Sequence, residues 1–155
     1  MEQHMRAINQ KQAIKLLEHI EATQSEDVKK DIFSQLGCEC FALGHYKELG
    51  IDLNDSIEQI MEFTNVEKNH PSWEELYFNQ DGTILYVTGK PVDEAPRCPC
   101  SFGRGENPPA SLCIHCCGTF QESLWRAVLK KNVRVETPQS RMFGDKRCNH
   151  TVFIL

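Results

Sequence analysis

The chain has no apolar run approaching the roughly 20 residues that a membrane-crossing helix needs. Its first residues, Met1-Glu2-Gln3-His4-Met5-Arg6, contain no apolar stretch of the secretory-signal kind. Together these absences predict a cytoplasmic protein with no membrane partner. Positive charge is not in excess either. The net charge is −5, and Lys and Arg are scattered among acidic residues, so no nucleic-acid partner is expected. Internal repeats and low-complexity tracts are missing. So are a phosphate-binding glycine loop, a Gly-x-Ser-x-Gly elbow and a His-Glu-x-x-His pair, which removes three common catalytic signatures. Phe102-Gly103-Arg104-Gly105 is glycine-rich but lacks a strand-to-helix setting, and reads as loop.

What is present is a hydrophobic fraction of 40% and a charged fraction of 25% over 155 residues, enough for one globular domain. Residues 1–70 read as helical. Ala13, Leu16, Leu17 and Ile20 form one apolar stripe at helical spacing. Ser25 before Glu26 and Asp27 is an N-cap with acidic first-turn residues. Val28, Ile32 and Leu36 carry the next apolar face, and Gly37 suits its C-terminal stop. Cys38-Glu39-Cys40 then opens a third helix reaching Leu49, and Asn54 or Asp55 caps a fourth that ends at His70-Pro71.

Residues 71–155 change character. Glu74–Phe78 and Thr83–Thr88 flank an Asn79-Gln80-Asp81-Gly82 turn and predict a hairpin. A loop follows between Gly89 and Ala110, then a helix from Ser111 to about Lys131. Strands over Val133–Arg141 and Arg147–Ile154 form a second hairpin. The expectation is an α+β single domain: N-terminal helices packed with an antiparallel sheet of two hairpins, and a long helix in the C-terminal half.

The chemistry concentrates in the cysteines. Cys98-Pro99-Cys100 and Cys113-Ile114-His115-Cys116-Cys117 hold five of eight, and Cys148 returns in Gly144-Asp145-Lys146-Arg147-Cys148. In a reducing compartment, close cysteine pairs are metal-binding or redox-active more often than disulfide-bonded. Cys113 and Cys116 form a Cys-x-x-Cys and Cys98 and Cys100 a Cys-x-Cys, both able to chelate. Metal ligands are therefore expected among Cys98, Cys100, Cys113, Cys116, Cys117 and Cys148, with zinc first and an iron–sulfur cluster second. A helix beginning near Ser111 would also lower the pKa of a cysteine in its first turns. That opens an enzyme alternative, with Cys113 or Cys116 as nucleophile and His115 as base, or a metal-assisted hydrolase. His150 shares a strand face with Cys148. For Cys38 and Cys40, packing or a redox pairing is expected. Covalent haem is not, because Cys117 stands where that motif needs histidine.

From Val133-Arg134-Val135-Glu136 through Gly144-Asp145-Lys146-Arg147-Cys148 to Val152-Phe153-Ile154, the sequence resembles the closing hairpin of the 4-vinyl reductase domain family. Allied cysteine-rich bacterial and archaeal proteins share the longer pattern from Cys98 onward. The resemblance implies helices against an antiparallel sheet and a small-molecule-binding or metal-linked regulatory role. Aminothiazoline-carboxylate hydrolase-like proteins are similar at a coarser level. The reading at this point is a cysteine-rich metal-binding module that senses or binds a small molecule or redox state, with a homo-oligomer left open. A plain scaffold holding an apolar ligand is the bland alternative.

Overall fold

A computed structural model describes the backbone of residues 2–94, 98, 100–105 and 107–155, with side chains described from residue 9 onward. Four α-helices and four strands form the frame: α1 Glu2–Thr23, α2 Glu26–Ala42, α3 Ile57–Met61, β1 Trp73–Phe78, β2 Ile84–Gly89, α4 Gly118–Leu129, β3 Val133–Gln139 and β4 Asn149–Ile154. The α+β class read from the sequence is the class observed.

Ser25 caps α2 through its hydroxyl, which accepts from the Val28 N–H. The helix then runs straight through Gly37 to Ala42, where the sequence predicts a stop. The third predicted helix shrinks to a 3₁₀ turn, His45–Leu49. Gly37 is there for closeness rather than termination. A Cβ built on it would lie 2.3 Å from the carbonyl oxygen of Cys116. The α3 cap is Ser56, one residue beyond the predicted pair, in a capping box with Gln59. A π-helical turn, Glu62–Val66, follows it.

The two hairpins join side by side. Strand order is β1-β2-β4-β3, all antiparallel, so β2 pairs with β4 and the edges are β1 and β3. Alternation sends Leu76, Leu85, Val87, Val133 and Val152 inward. They meet Leu124, Trp125 and Val128 of α4 in the main core, joined by Leu49, Ile51, Ile60 and Trp73. A second, smaller cluster holds Leu17, Phe33, Leu112 and Cys116, with Phe102 and Met142 against it.

The edge of β1 is closed by a side chain. Asn65, on the π-helical turn, accepts from the Leu76 N–H at 2.8 Å and donates to the Leu76 carbonyl at 2.7 Å. Its carboxamide stands in for a neighbouring strand. Replacing it, Asn65→Ala, leaves both backbone groups without that partner and is expected to cost about 1 to 2 kcal/mol. The check is a denaturant midpoint; an unchanged midpoint would show that water takes over both bonds.

Candidate functional site: the cysteine cluster

The predicted helix start at Ser111 takes another form. Leu112–Cys117 is a π-helical turn that leads into α4, and Ser111 makes no side-chain cap. This turn packs on α2, with the Cys116 carbonyl pressed against Gly37. Cys40, one turn further along α2, consequently meets Cys116. The two thiols are close enough to share their titration, which holds the proton on buried Cys116 and makes half-buried Cys40 the partner that ionises first. Cys38 points to solvent.

The other sulfurs gather around the same turn, with Cys100 near both Cys40 and Cys116. Buried Cys113 accepts a hydrogen bond from the Ser140 hydroxyl at 3.1 Å. The Cys148 sulfur accepts from the Arg141 N–H at 3.4 Å. Cys98 and Cys100 flank the start of a 3₁₀ turn, Ser101–Arg104, whose Arg104 Nε donates to the Cys98 carbonyl. Cys98, Cys100, Cys113 and Cys117 lie near enough to one another and to Cys148 that the neighbouring sulfurs disfavour their ionisation. Loop, turn and hairpin thus bring all six predicted sulfurs into one region, and α2 adds Cys40.

Burial dominates the electrostatics. It raises the thiols of Cys98 and Cys100, pushes Cys113 up to about 11 and raises Cys117 well above its ordinary value, with the neighbouring sulfurs adding to the effect. These groups are neutral thiols near pH 7. The helix-start argument predicts the reverse, and it fails because a six-residue π turn inside the protein desolvates its sulfurs more than its dipole helps them. His115 is half-buried and lowered by burial and by Lys30. His150 is buried on the inner sheet face, its Nδ1 3.0 Å from the Thr137 hydroxyl.

Four antiparallel strands with helices on one face define the class of fold. No family model matches the chain, and no curated sequence does. In fold it is similar to a trafficking protein particle complex subunit 3 from Naegleria fowleri, solved covalently bound to palmitic acid. The TM-score is 0.50 at 10% identity, with 96% of each chain covered. At that identity the likeness is one of fold, and it is silent on the 4-vinyl reductase resemblance.

The metal-binding and sensing reading is corrected here. Among the described residues, no group of three or more His, Cys, Asp or Glu side chains is arranged to hold a metal ion. The cysteines share a region but not a focus. Cys116 turns to Cys40, Cys113 to Ser140 and Cys148 to the Arg141 backbone, so the sulfurs are spent on separate partners. Burial raises the thiol of Cys113, and the Cys40 contact together with burial raises that of Cys116, the opposite of the activation expected at a helix start. Spacing alone did not disclose the Cys40–Cys116 contact. The signal was Gly37, a helix-interior glycine three residues before Cys40.

Proposed function

We propose that the chain is a structural subunit of a protein assembly, binding another polypeptide on the outer face of its sheet. The observation that carries this reading is the bareness of that face. Tyr77 and Tyr86 stack there with ring centroids 5.0 Å apart, and Tyr77 is 45% exposed. Ile84 and Phe153 are paired beside them across β2 and β4, and Arg134 covers the Phe153 ring at 4.2 Å. Exposed stacked aromatics with an arginine at their margin are the residue types that dominate protein interfaces. The solved neighbour, a subunit of a trafficking protein particle complex, supports the same class of role.

Among the described residues, no helix is long and apolar enough to cross a membrane. The neighbour's covalent lipid is not part of the reading. Two surface grooves, of about 410 and 240 Å³, are lined by no cysteine.

The test is native sizing of the chain, at its natural abundance, in extract of its source cells. It is expected to run well above monomer size. Tyr86→Glu, which keeps Leu85 and Val87 in the core, should shift it to monomer size with the thermal midpoint of the purified protein kept. A wild-type chain that already runs as a monomer would overturn the reading.

A further inference from the structure

The two sheet edges are treated differently. Asn65 closes β1, and Lys68 Nζ adds a contact to the Glu74 carbonyl. Along β3 the substantial packing is with β4 on one side and α4 beneath. Among the described residues, no backbone bond outside the sheet reaches Val133–Gln139. An unprotected edge strand is a template for a further strand.

Which backbone groups it offers follows from alternation. The Asn132 carbonyl accepts from Leu155 N–H at 2.9 Å, and the register pairs Val133 with Ile154 and Arg134 with Phe153. Residues 132, 134 and 136 therefore turn their N–H and C=O groups toward β4, and Val133 and Val135 turn theirs outward. The side chains alternate as well: Val133 is buried and Val135 half-buried, while Arg134 and Glu136 are about half exposed on the outer face at 52% and 55%.

We propose that the outer edge of β3 pairs antiparallel with the same edge of a second copy of this chain, about a two-fold axis through Val135. It rests on the assembly reading above and adds a second surface to it, the β3 edge beside the outer face. The sequence Val133-Arg134-Val135-Glu136-Thr137 is self-complementary in charge about its centre. With Val135 opposite Val135 of the second copy, the outward N–H and C=O groups exchange both bonds. Arg134 then falls opposite Glu136 of the second copy, and Glu136 opposite its Arg134. Both are non-hydrogen-bonded positions, where side chains come closest, about 4.5 Å between Cα atoms. Arg134 already pairs with Glu136 of its own strand, so the dimer extends that pair into a square of four alternating charges. The two Val135 side chains meet on the inner face.

Other registers lose these features. A shift of the axis by one residue toward either end puts Arg134 or Glu136 on it, opposite its own copy, so that like charges face each other at a close non-hydrogen-bonded pair, and an axis between residues sets outward backbone groups against inward ones. Pro138 and the irregularity between Glu136 and Gln139 end the ladder after a few residues. The contact is isologous, so it closes at two copies instead of growing into a fibre. Its small size makes it a weak, concentration-dependent dimer that falls apart as salt screens the four charges.

Sedimentation equilibrium of the purified chain over a dilution series, up to about 1 mM, is the test. A monomer–dimer equilibrium is expected. Arg134→Glu and Glu136→Arg should each raise the dissociation constant about tenfold, because every substitution acts at two symmetric contacts. The double swap R134E/E136R should return it to within about threefold of wild type. Val135→Pro, which removes an outward N–H and leaves the bonds to β4, should abolish the dimer. A monomer at every concentration overturns the proposal. So does a dimer indifferent to the single charge reversals, or one that the double swap fails to restore. The native sizing described above stays informative in those cases, since a different partner on the outer face would still enlarge the native species.

Discussion

Between about pH 7 and pH 4.5 the chain is expected to lose about 5 kcal/mol of folding stability. Two buried histidines are responsible. His70 is fully buried, its ring parallel to Trp73 at 4.0 Å, and Trp73 in turn lies against Trp125. Its Nδ1 accepts from the N–H groups of Ser72 and Trp73 at 3.1 and 2.8 Å. That nitrogen must therefore be unprotonated, and Nε2 carries the hydrogen. Burial, with the Lys90 charge adding to it, lowers His70 to about 3, and burial lowers His150 to about 4.

The folded chain keeps both rings neutral, whereas the unfolded chain protonates them near the ordinary value of 6.5. Above that value the two states bind protons equally and nothing is lost. As pH falls below it, each ring costs about 1.4 kcal/mol per unit, until the folded pKa is reached. Two units for two rings give the figure stated. Urea midpoints across this range measure it. His70→Asn keeps an acceptor close to the Nδ1 position and removes the titration. It should be less stable near pH 7 through lost ring packing, yet lose about half as much on acidification. A wild-type profile flat down to about pH 4.5 would show that the fold admits the charged rings.

Gly37→Ala is expected to destabilise the chain by about 3 kcal/mol. Helix propensity alone predicts a gain of about 1 kcal/mol, since glycine is poor in a helix interior. The added methyl, however, would lie 2.3 Å from the Cys116 carbonyl oxygen and 3.1 Å from Thr119 Cβ. The obstacle is backbone, which cannot rotate away, so α2 and the π-helical turn must separate. That separation also parts Cys40 from Cys116 and opens the small cluster of Phe33, Leu112 and Leu17. Gly118→Ala is the control. A Cβ added there would meet nothing within 4 Å, and the variant should gain about 0.5 to 1 kcal/mol. Thermal midpoints of the two variants should move in opposite directions; movement in the same direction would refute the close approach.

Much of the frame was legible in the residues. Alternating apolar residues around Asn79–Gly82 and between Val133 and Ile154 marked four strands, because a half-buried strand must alternate. The α4 stripe of Phe120, Leu124 and Val128 was equally plain. Boundaries were less so: the break expected at Gly37 and the helix start expected at Ser111 were both displaced. Each was inferred from a local preference, and each was overridden by the same tertiary contact between α2 and the π-helical turn. Pairing of the hairpins through β2 and β4 had no local signal at all, since either strand of each hairpin could have met the other.

The cysteine cluster divides in the same way. The sequence by itself determined that Cys98, Cys100, Cys113, Cys116, Cys117 and Cys148 come from a loop, a helix entry and a hairpin, and that the fold is α+β. Ligand spacing suggested a metal because chelation depends on reach along the chain. Only the tertiary structure decided where the sulfurs aim, that burial keeps Cys113 protonated, and that Ser140, the Arg141 backbone and Cys40 are their partners. Direction and desolvation are set by what packs around a side chain, and those neighbours are distant in sequence: Ser140 lies 27 residues from Cys113. The open β3 edge is of the same kind. Its charge palindrome is written in the chain, but that nothing covers it is a property of the sheet.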